Sequence, residues 1–189
     1  YTVSLSKQFD GLVTKLSDSM EFEVVQMRKG ALEGSSPEEV VEFWNELETL
    51  QGKLSAASLT LGETKSRLKA ISEALSRTEV APNELNEKIH MLQIELGQIE
   101  IESYGSKAKD EVGEKNNPTV YSRLGVAQTG TINSTYGPTP THKRSLEIAK
   151  SQFQNIKNQL VDIVENKIPL IEKELMELGA PWIEGQALQ

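Results

Sequence analysis

The residues of this sequence with a spacing suited to metal chemistry are Glu87 and His90. Their Glu-x-x-His pattern inside a helical segment is the one that carboxylate di-iron proteins use to present metal ligands. Those proteins need a second such pair, and the sequence contains none. Glu87 and His90 also lie outside the apolar positions of their own helical pattern. We therefore predict no metal site and no cofactor.

The other polar residues form no recognisable catalytic set. Cysteine is absent, which removes disulfides, thiolate metal sites and cysteine nucleophiles. The 28 acidic residues are spread over helical patterns, whereas glycosidase chemistry needs two carboxylates that face each other across a cleft. Nucleophile-elbow, zinc-protease, phosphate-loop and EF-hand motifs are also missing from the sequence. No catalytic residue is predicted.

Another group of residues could bind a ligand, because it combines cations with aromatic rings. His142, Lys143 and Arg144 form a positive patch in the first turn of the last predicted helix, close to Tyr136. The free amides of a helix N-terminus can bind an anion, although solvated surface cations are the simpler interpretation of this patch. The candidate ligand-binding residues, between the interval 105–140 and the last helix, are Tyr121, Arg123, Tyr136, His142 and Arg144.

Composition narrows the classes of partner. The chain of 189 residues has a net charge of −8, which argues against nucleic acid, since domains that bind polyanions usually carry a basic face. No apolar run approaches the ~18 residues that a membrane span needs, and the first residues lack the pattern of a signal peptide. Because the sequence starts in mid-pattern, we expect it to be a fragment of a longer protein.

The elements that must position these residues are mainly α-helices. In the longest pattern, over residues 36–78, Ser36, Pro37 and Glu39 give a capping box with proline at the first helical position. At 1.5 Å per residue this helix would be roughly 65 Å long, so other helices must lie along it. Its apolar seam consists of Val40, Leu47, Leu50, Leu54, Ala57, Leu61, Leu68, Ile71 and Leu75.

Two further helices are predicted, over about residues 82–104 and 140–178. The first follows a short break at Ala81 and Pro82, and a short connection favours antiparallel neighbours. The second contains Pro169, which removes a backbone donor and predicts a kink. The apolar positions are Leu85, Ile89, Leu92, Leu96 and Ile99 in the first, and Leu146, Ala149, Phe153, Ile156, Leu160, Ile163, Leu170, Leu175 and Leu178 in the second. The predicted fold class is mainly α, an antiparallel bundle of three long helices.

Two parts of the chain lack helical periodicity. Over 105–139, glycine, proline and charged residues predict a long, ordered, irregular loop with one short helical piece at 121–126. Over 1–28, a period of two around Asp10 and Gly11 predicts a β-hairpin and a third strand at 22–26, as the last strands of an upstream β-sandwich or packed against the helices. A glycine-containing linker at 29–35 separates these strands from the helical domain, 36–189.

Several runs of residues resemble a known family. These are Tyr136–Thr141 (Tyr-Gly-Pro-Thr-Pro-Thr), Lys143–Ala149, Gly179–Trp182, and the opening Tyr1–Lys7 with Phe22–Val24. They are similar to the C-terminal region of exported Bacteroidetes proteins described as BNR-repeat glycosyl hydrolases or sortilin-like (VPS10-type) β-propellers. The resemblance implies propellers first, then a small β-sandwich and a helical tail. Hydrolase activity would belong to the propellers; their Asp-box motif (Ser-x-Asp-x-Gly-x-Thr-Trp) does not occur here, so no catalytic residue is carried over.

These patterns lead to one functional hypothesis and two alternatives. The leading hypothesis is a non-catalytic C-terminal helical module of a large exported β-propeller protein, which packs against the upstream β-sandwich and propeller domains or offers a surface to a protein or glycan partner. The resemblance implies a periplasmic, outer-surface or secreted location. The alternatives are a ligand-binding or catalytic site between the interval 105–140 and the last helix, and a coiled-coil-like oligomerisation module, because the seams run close to a seven-residue repeat.

Overall fold

The computed structural model describes residues 1–25, 27, 30–78 and 83–181. The protein is mainly helical, with a short β segment at its N-terminus, and it divides into two compact units, Tyr1–Glu33 and Gly34–Gln189. The division falls within the linker predicted at 29–35, whose first residue lies outside the described residues. The predicted helix break at Ala81 and Pro82 also lies outside them.

The N-terminal unit contains a β-hairpin at the predicted turn. Its described residues form four short strands: β1 (Thr2–Val3), β2 (Ser6–Phe9), β3 (Leu12–Lys15) and β4 (Met20–Glu21). Strands β2 and β3 pair antiparallel, with Phe9 opposite Leu12. The turn between them places Asp10 at φ 48° and Gly11 at φ 77°, the two positive angles that a type I′ turn requires. The predicted hairpin is confirmed.

The strand predicted after the hairpin, at 22–26, is present but lies earlier in the chain, and the described residues 22–25 are not in a strand. Strand β4 ends at Glu21 and pairs with β1, so it continues the same two-stranded ribbon. The Leu5 carbonyl accepts the amides of both Leu16, at 2.8 Å, and Ser17, at 3.2 Å, a bulge between the two ladders. An alternating pattern of apolar and polar residues is the same in one strand that a bulge interrupts and in two successive strands. The sequence pattern therefore could not give the strand boundaries. All residues of β1 to β4 are exposed.

The helical unit begins with α1 (Pro37–Ser76), which confirms the longest predicted helix. The Ser36 hydroxyl accepts the amide of Glu39 at 3.2 Å, and the Glu39 carboxylate accepts the amide of Ser36 at 3.3 Å. This is the predicted capping box. The predicted seam faces the core, with Val40 and Ala57 half-buried and the rest buried.

Helix α2 (Asn83–Tyr104) confirms the second predicted helix over its described residues. Its buried apolar residues are the predicted ones, Leu85, Ile89, Leu92, Leu96 and Ile99. The helix ends before Gly105, which has a φ of 98°. Glycine at this position is a common helix terminator because it takes positive φ angles without strain.

The interval 105–139 is largely helical, which corrects the predicted irregular loop. It contains α3 (Lys107–Glu111) and α4 (Val120–Ile132). Thr119 and Ser122 form a capping box at the start of α4, and the buried face of α4 follows the helical repeat: Val120, Leu124, Ala127 and Thr131. Two glycines and several β-branched residues lower the helix propensity of this segment. Packing against the next helix supplies the stability that propensity does not.

The last predicted helix is confirmed and is continuous through its proline. It consists of α5 (Pro140–Asp162), one π-helical turn (Ile163–Lys167) and α6 (Ile168–Glu177). Pro169 follows the π turn directly. Because proline has no amide hydrogen and clashes with the carbonyl four residues earlier, the helix widens just before it. The feature observed before Pro169 is a π turn, whereas the kink predicted at Pro169 stays a prediction.

The π turn also changes which residues face the core. The amide of Ile168 donates to the carbonyl of Ile163, a spacing of five residues that adds one residue to the turn. Beyond it the buried positions include Ile168 and Ile171, whereas the predicted Leu170 is 60% exposed and Leu178 is 39% exposed. Both core predictions are wrong. Leu170 was predicted by carrying a constant helical repeat across the π turn, whereas Leu178 is the C-cap residue at the end of α6.

Ion pairs join the helices of this unit. They are Glu46–Lys150, Lys65–Glu100, Arg67–Glu172, Lys88–Glu174 and Glu95–Lys167. These pairs connect α1 to α2, α5 and α6, and they connect α2 to the π turn and α6. The hydrogen bond to Glu95 outweighs partial desolvation and raises the pKa of Lys167.

None of the helices in the described ranges combines the length and apolarity that crossing a bilayer requires.

Candidate functional site

An open cleft lies between α4, α5 and the chain that leads into α4. Its volume is about 880 Å³, and its lining includes Tyr104, Arg123, Val126, Thr141, Arg144 and Ile148. We refer to it as the α4–α5 cleft. Apolar side chains cover much of the wall, and two guanidinium groups are the cations that line it. A cleft of this kind can hold a ligand that is partly apolar and partly anionic.

Local hydrogen bonds hold the walls of the cleft in place. The Ser145 hydroxyl donates to the Arg123 carbonyl at 2.9 Å, which ties α5 to α4. Asn116 accepts the Ser106 amide at 2.8 Å and donates to the Asp110 carboxylate at 2.7 Å, which closes the loop after α2. The backbone around the cleft is therefore organised by internal bonds before any ligand arrives.

Arg123 is the unusual residue of the cleft. It is half-buried, and its Nε is buried with no hydrogen-bond partner among the described residues. Nor does any described carboxylate form an ion pair with its guanidinium. A buried donor without a partner costs about 1–3 kcal/mol, and such groups in native proteins usually mark a water, an ion or a ligand site.

Arg144 lines the same cleft and has a weak internal partner. Its Nη1 lies 3.2 Å from a carboxylate oxygen of Glu147, and the side chains are 71% and 65% exposed. Ion pairs this exposed contribute about 0–1 kcal/mol, because water and salt screen them. A ligand could therefore displace Glu147 from Arg144 at little cost.

The structure brings two of the five predicted ligand residues together. Arg123 and Arg144 line the cleft, whereas Tyr121, Tyr136 and His142 are not part of its lining. Tyr121 contacts Tyr104, with 5.9 Å between the ring centroids. The Tyr136 carbonyl accepts the amide of Ser35 at 2.9 Å, in the chain just before α1.

His142 has a structural role at the start of α5. Its Nδ1 accepts the amide of Thr139 at 3.2 Å, and the Thr139 hydroxyl accepts the amide of His142 at 3.4 Å. Histidine thus occupies the position that glutamate usually takes in a capping box. The imidazole lies against Gly130 of α4, where an added Cβ would be 2.0 Å from Nε2.

Because of this close contact, we expect Gly130→Ala to change the free energy of unfolding in opposite directions with and without the imidazole of His142. Gly130→Ala should destabilise the wild type by about 1 kcal/mol, because the imidazole must move away and its cap bond is lost. In a His142→Ala background the same change should stabilise by about 0.5–1 kcal/mol, because alanine is the better helix former. Urea denaturation of the four proteins measures both values. Equal effects of Gly130→Ala in the two backgrounds would contradict the contact.

Sequence reasoning missed other residues of the cleft. They include Tyr104, Asn116 and Asn117, which the sequence does not single out as candidates for a site. An asparagine whose side chain bonds nearby backbone is a recognised turn signal, so the role of Asn116 in closing the loop could have been anticipated. The approach of Tyr104 to α4 could not, because it depends on helix packing.

Glu87 and His90, the Glu-x-x-His pair that the sequence analysis rejected as metal ligands, are exposed on α2. Within the described part of the chain, no group of three or more histidine, cysteine, aspartate or glutamate side chains could hold a metal ion. Acidic residues of the helices instead form the ion pairs listed above between neighbouring helices, as Glu95 and Glu100 do.

No protein-family model, curated protein or solved structure gives a significant match to this chain.

Proposed function

We propose that this chain is a non-catalytic helical module that binds a partner through the α4–α5 cleft. The observation that carries the proposal is Arg123, a half-buried arginine whose Nε has no partner among the described residues. In a chain with 28 acidic residues, a cation left without a carboxylate at an open cleft is best explained by a ligand that supplies the negative charge.

The use of the acidic side chains supports a binding role over a catalytic one. Five carboxylates, Glu46, Glu95, Glu100, Glu172 and Glu174, form ion pairs with cations on neighbouring helices. Glycosidase chemistry would need two carboxylates that face a substrate across a cleft, but the carboxylate that lines this cleft, Asp110, accepts a hydrogen bond from Asn116.

The architecture we propose is a bundle of three helical layers. Helix α1 forms one layer and α5 with α6 another, parallel to it. Helices α2 and α4 follow one another along the third layer, in the opposite direction, with α3 between them. The ion pairs and the contact between Tyr104 and Tyr121 support this arrangement. It places the cleft where α4 continues the layer that α2 begins.

We also propose, on the residues that resemble the family, that the module belongs to a large exported Bacteroidetes β-propeller protein. In that setting the exposed ribbon of β1 to β4 would join an upstream β-sandwich. The helical unit would then present its cleft to a partner of the whole protein. Sequence upstream of Tyr1 tests this: propeller repeats there would support it, and a different domain would contradict it.

Two measurements on the chain of 189 residues test the proposed function. In an NMR screen with mixtures of small fragments, we expect amide shifts at residues 119–126 and 141–148. With a panel of p-nitrophenyl glycosides, we expect no release of p-nitrophenol above the blank. If the chain released p-nitrophenol and Arg123→Gln abolished that release, the proposed binding role would be contradicted and a catalytic role supported. Shifts that map only outside the cleft would contradict this site.

A further inference from the structure

We infer that the α4–α5 cleft takes an acidic peptide segment, with a carboxylate on Arg123 and Arg144 and a neighbouring apolar side chain on the wall of the cleft. This inference rests on the proposed binding function and specifies its ligand. It depends on which hydrogen-bonding groups of the cleft are already used and which are not.

Four of the small polar side chains that line the cleft, those of Asn116, Thr119, Ser122 and Ser145, are used internally. The Thr119 hydroxyl accepts the Ser122 amide, and the Ser122 hydroxyl accepts the Thr119 amide. The Ser145 hydroxyl donates to a carbonyl, and both ends of the Asn116 amide are bonded. What remains is the guanidinium of Arg123, most of that of Arg144, and the neutral side chains of Asn117 and Thr141. The charged groups among these are donors only. A ligand that satisfies them must bring acceptors and negative charge, which carboxylates do in a bidentate geometry.

The rest of the wall favours a peptide over a sugar. Pro118, Val126, Pro140 and Ile148 offer aliphatic surface beside the arginines, and Tyr104 offers an aromatic edge. Sugars need many polar partners for their hydroxyls, and the side chains of Asn116, Thr119, Ser122 and Ser145 are already bonded within the protein, which leaves Asn117 and Thr141 as neutral polar partners. An acidic peptide with apolar neighbours needs two charged donors and an apolar surface, and the cleft has both.

Nearby carboxylates set how tightly such a peptide binds. Glu147 pairs with Arg144 at 3.2 Å, and Asp110 also lines the cleft. Glu147 competes directly with a ligand carboxylate for Arg144, and both acidic residues repel it. Removing the charge of Glu147 should therefore strengthen binding, whereas removing the charge of Arg123 should weaken it.

The test is an NMR titration of the chain with a blocked Leu-Glu-Leu-Glu peptide. We expect shifts at 119–126 and 141–148, and none with the neutral Leu-Gln-Leu-Gln peptide. Arg123→Gln should raise Kd by about tenfold or more, since it removes a charge-assisted bidentate contact. Glu147→Gln should lower Kd by about two- to threefold. The matched control is Arg77→Gln, an exposed arginine at the end of α1, which should leave Kd within about twofold.

Trigalacturonate and inorganic phosphate are titrated beside the peptide. Shifts that depend on Arg123 with either of these, but not with the peptide, would overturn the peptide inference and leave the binding module standing. No shift with any probe would overturn both. Peptide shifts that Arg123→Gln leaves unchanged would overturn the assignment of Arg123. The fold of each variant is checked by its amide spectrum, and the bond from Ser145 to the Arg123 main chain does not depend on the substituted side chain.

Discussion

A Gly137→Ala variant is expected to lose about 3 kcal/mol of unfolding free energy, measured by urea denaturation followed at 222 nm. Gly137 has a φ of 82°, and an added Cβ would lie 2.7 Å from Cβ of Ser35 and 3.0 Å from Cγ2 of Val40. The positive φ costs a side chain about 1–2 kcal/mol, and the overlap with packed atoms adds about 1–3 kcal/mol. Ser35 lies in the chain that enters α1 and Val40 in the first turns of α1, so the clash cannot be relieved by one flexible side chain.

The matched control is Gly113→Ala. Gly113 has a φ of 72° but nothing within 4 Å of an added Cβ, so it isolates the cost of the backbone conformation. We expect about 1 kcal/mol of destabilisation there. If the two variants lost the same free energy, the packing of the α4–α5 connection against Ser35 and Val40 would be contradicted.

An Arg67→Met variant is expected to lose about 2–3 kcal/mol, because it leaves a carboxylate buried without its partner. The guanidinium of Arg67 makes two hydrogen bonds to Glu172, one of them 2.9 Å from Nη2 to Oε2. The side chain of Glu172 is only 11% exposed, whereas that of Arg67 is 39% exposed. The same urea denaturation measures the loss.

Because the side chain of Glu172 is much less exposed than that of Arg67, replacing Glu172 is the control for this prediction. Glu172→Met should cost only about 1 kcal/mol, since the freed guanidinium reaches water. The double variant Arg67→Met/Glu172→Met should be closer to the wild type than Arg67→Met is, because apolar groups of similar size replace buried ion pairs with little loss. Lys173→Met, which breaks a 4.0 Å surface contact with Glu177, should change stability by less than about 0.5 kcal/mol. A double variant as unstable as the sum of its parts would contradict the pairing.

Local chemistry in the sequence was enough to predict elements that are stabilised within a few residues. Ser36, Pro37 and Glu39 begin α1 as predicted, and Asp10 with Gly11 turns the hairpin. The apolar seam of α2 needed only the helical repeat. Each of these signals acts between residues close in sequence, so each could be read without knowing what packs against it.

The formation of helix α4 and the choice of buried residues in α6 depend on tertiary contacts. The propensity of α4 is weakened by its glycines, and its packing against α5 makes it a helix, for example through Ser145 and Arg123. The π turn before Pro169 moved the buried face from Leu170 to Ile171. The spacing of apolar residues in the sequence does not show that one helical turn contains an extra residue.

The candidate site, like the fold, could be predicted only in part from the sequence. Composition alone indicated that the chain has many carboxylates, two histidines and no cysteine, and the sequence named Arg123 and Arg144 as candidates. Only the tertiary structure placed these two arginines in one cleft, gave His142 a role in a helix cap, and left Nε of Arg123 without a hydrogen-bond partner among the described residues. The physical reason is that pairing and burial depend on neighbours distant in sequence, and the packing of α4 against α5 chooses those neighbours.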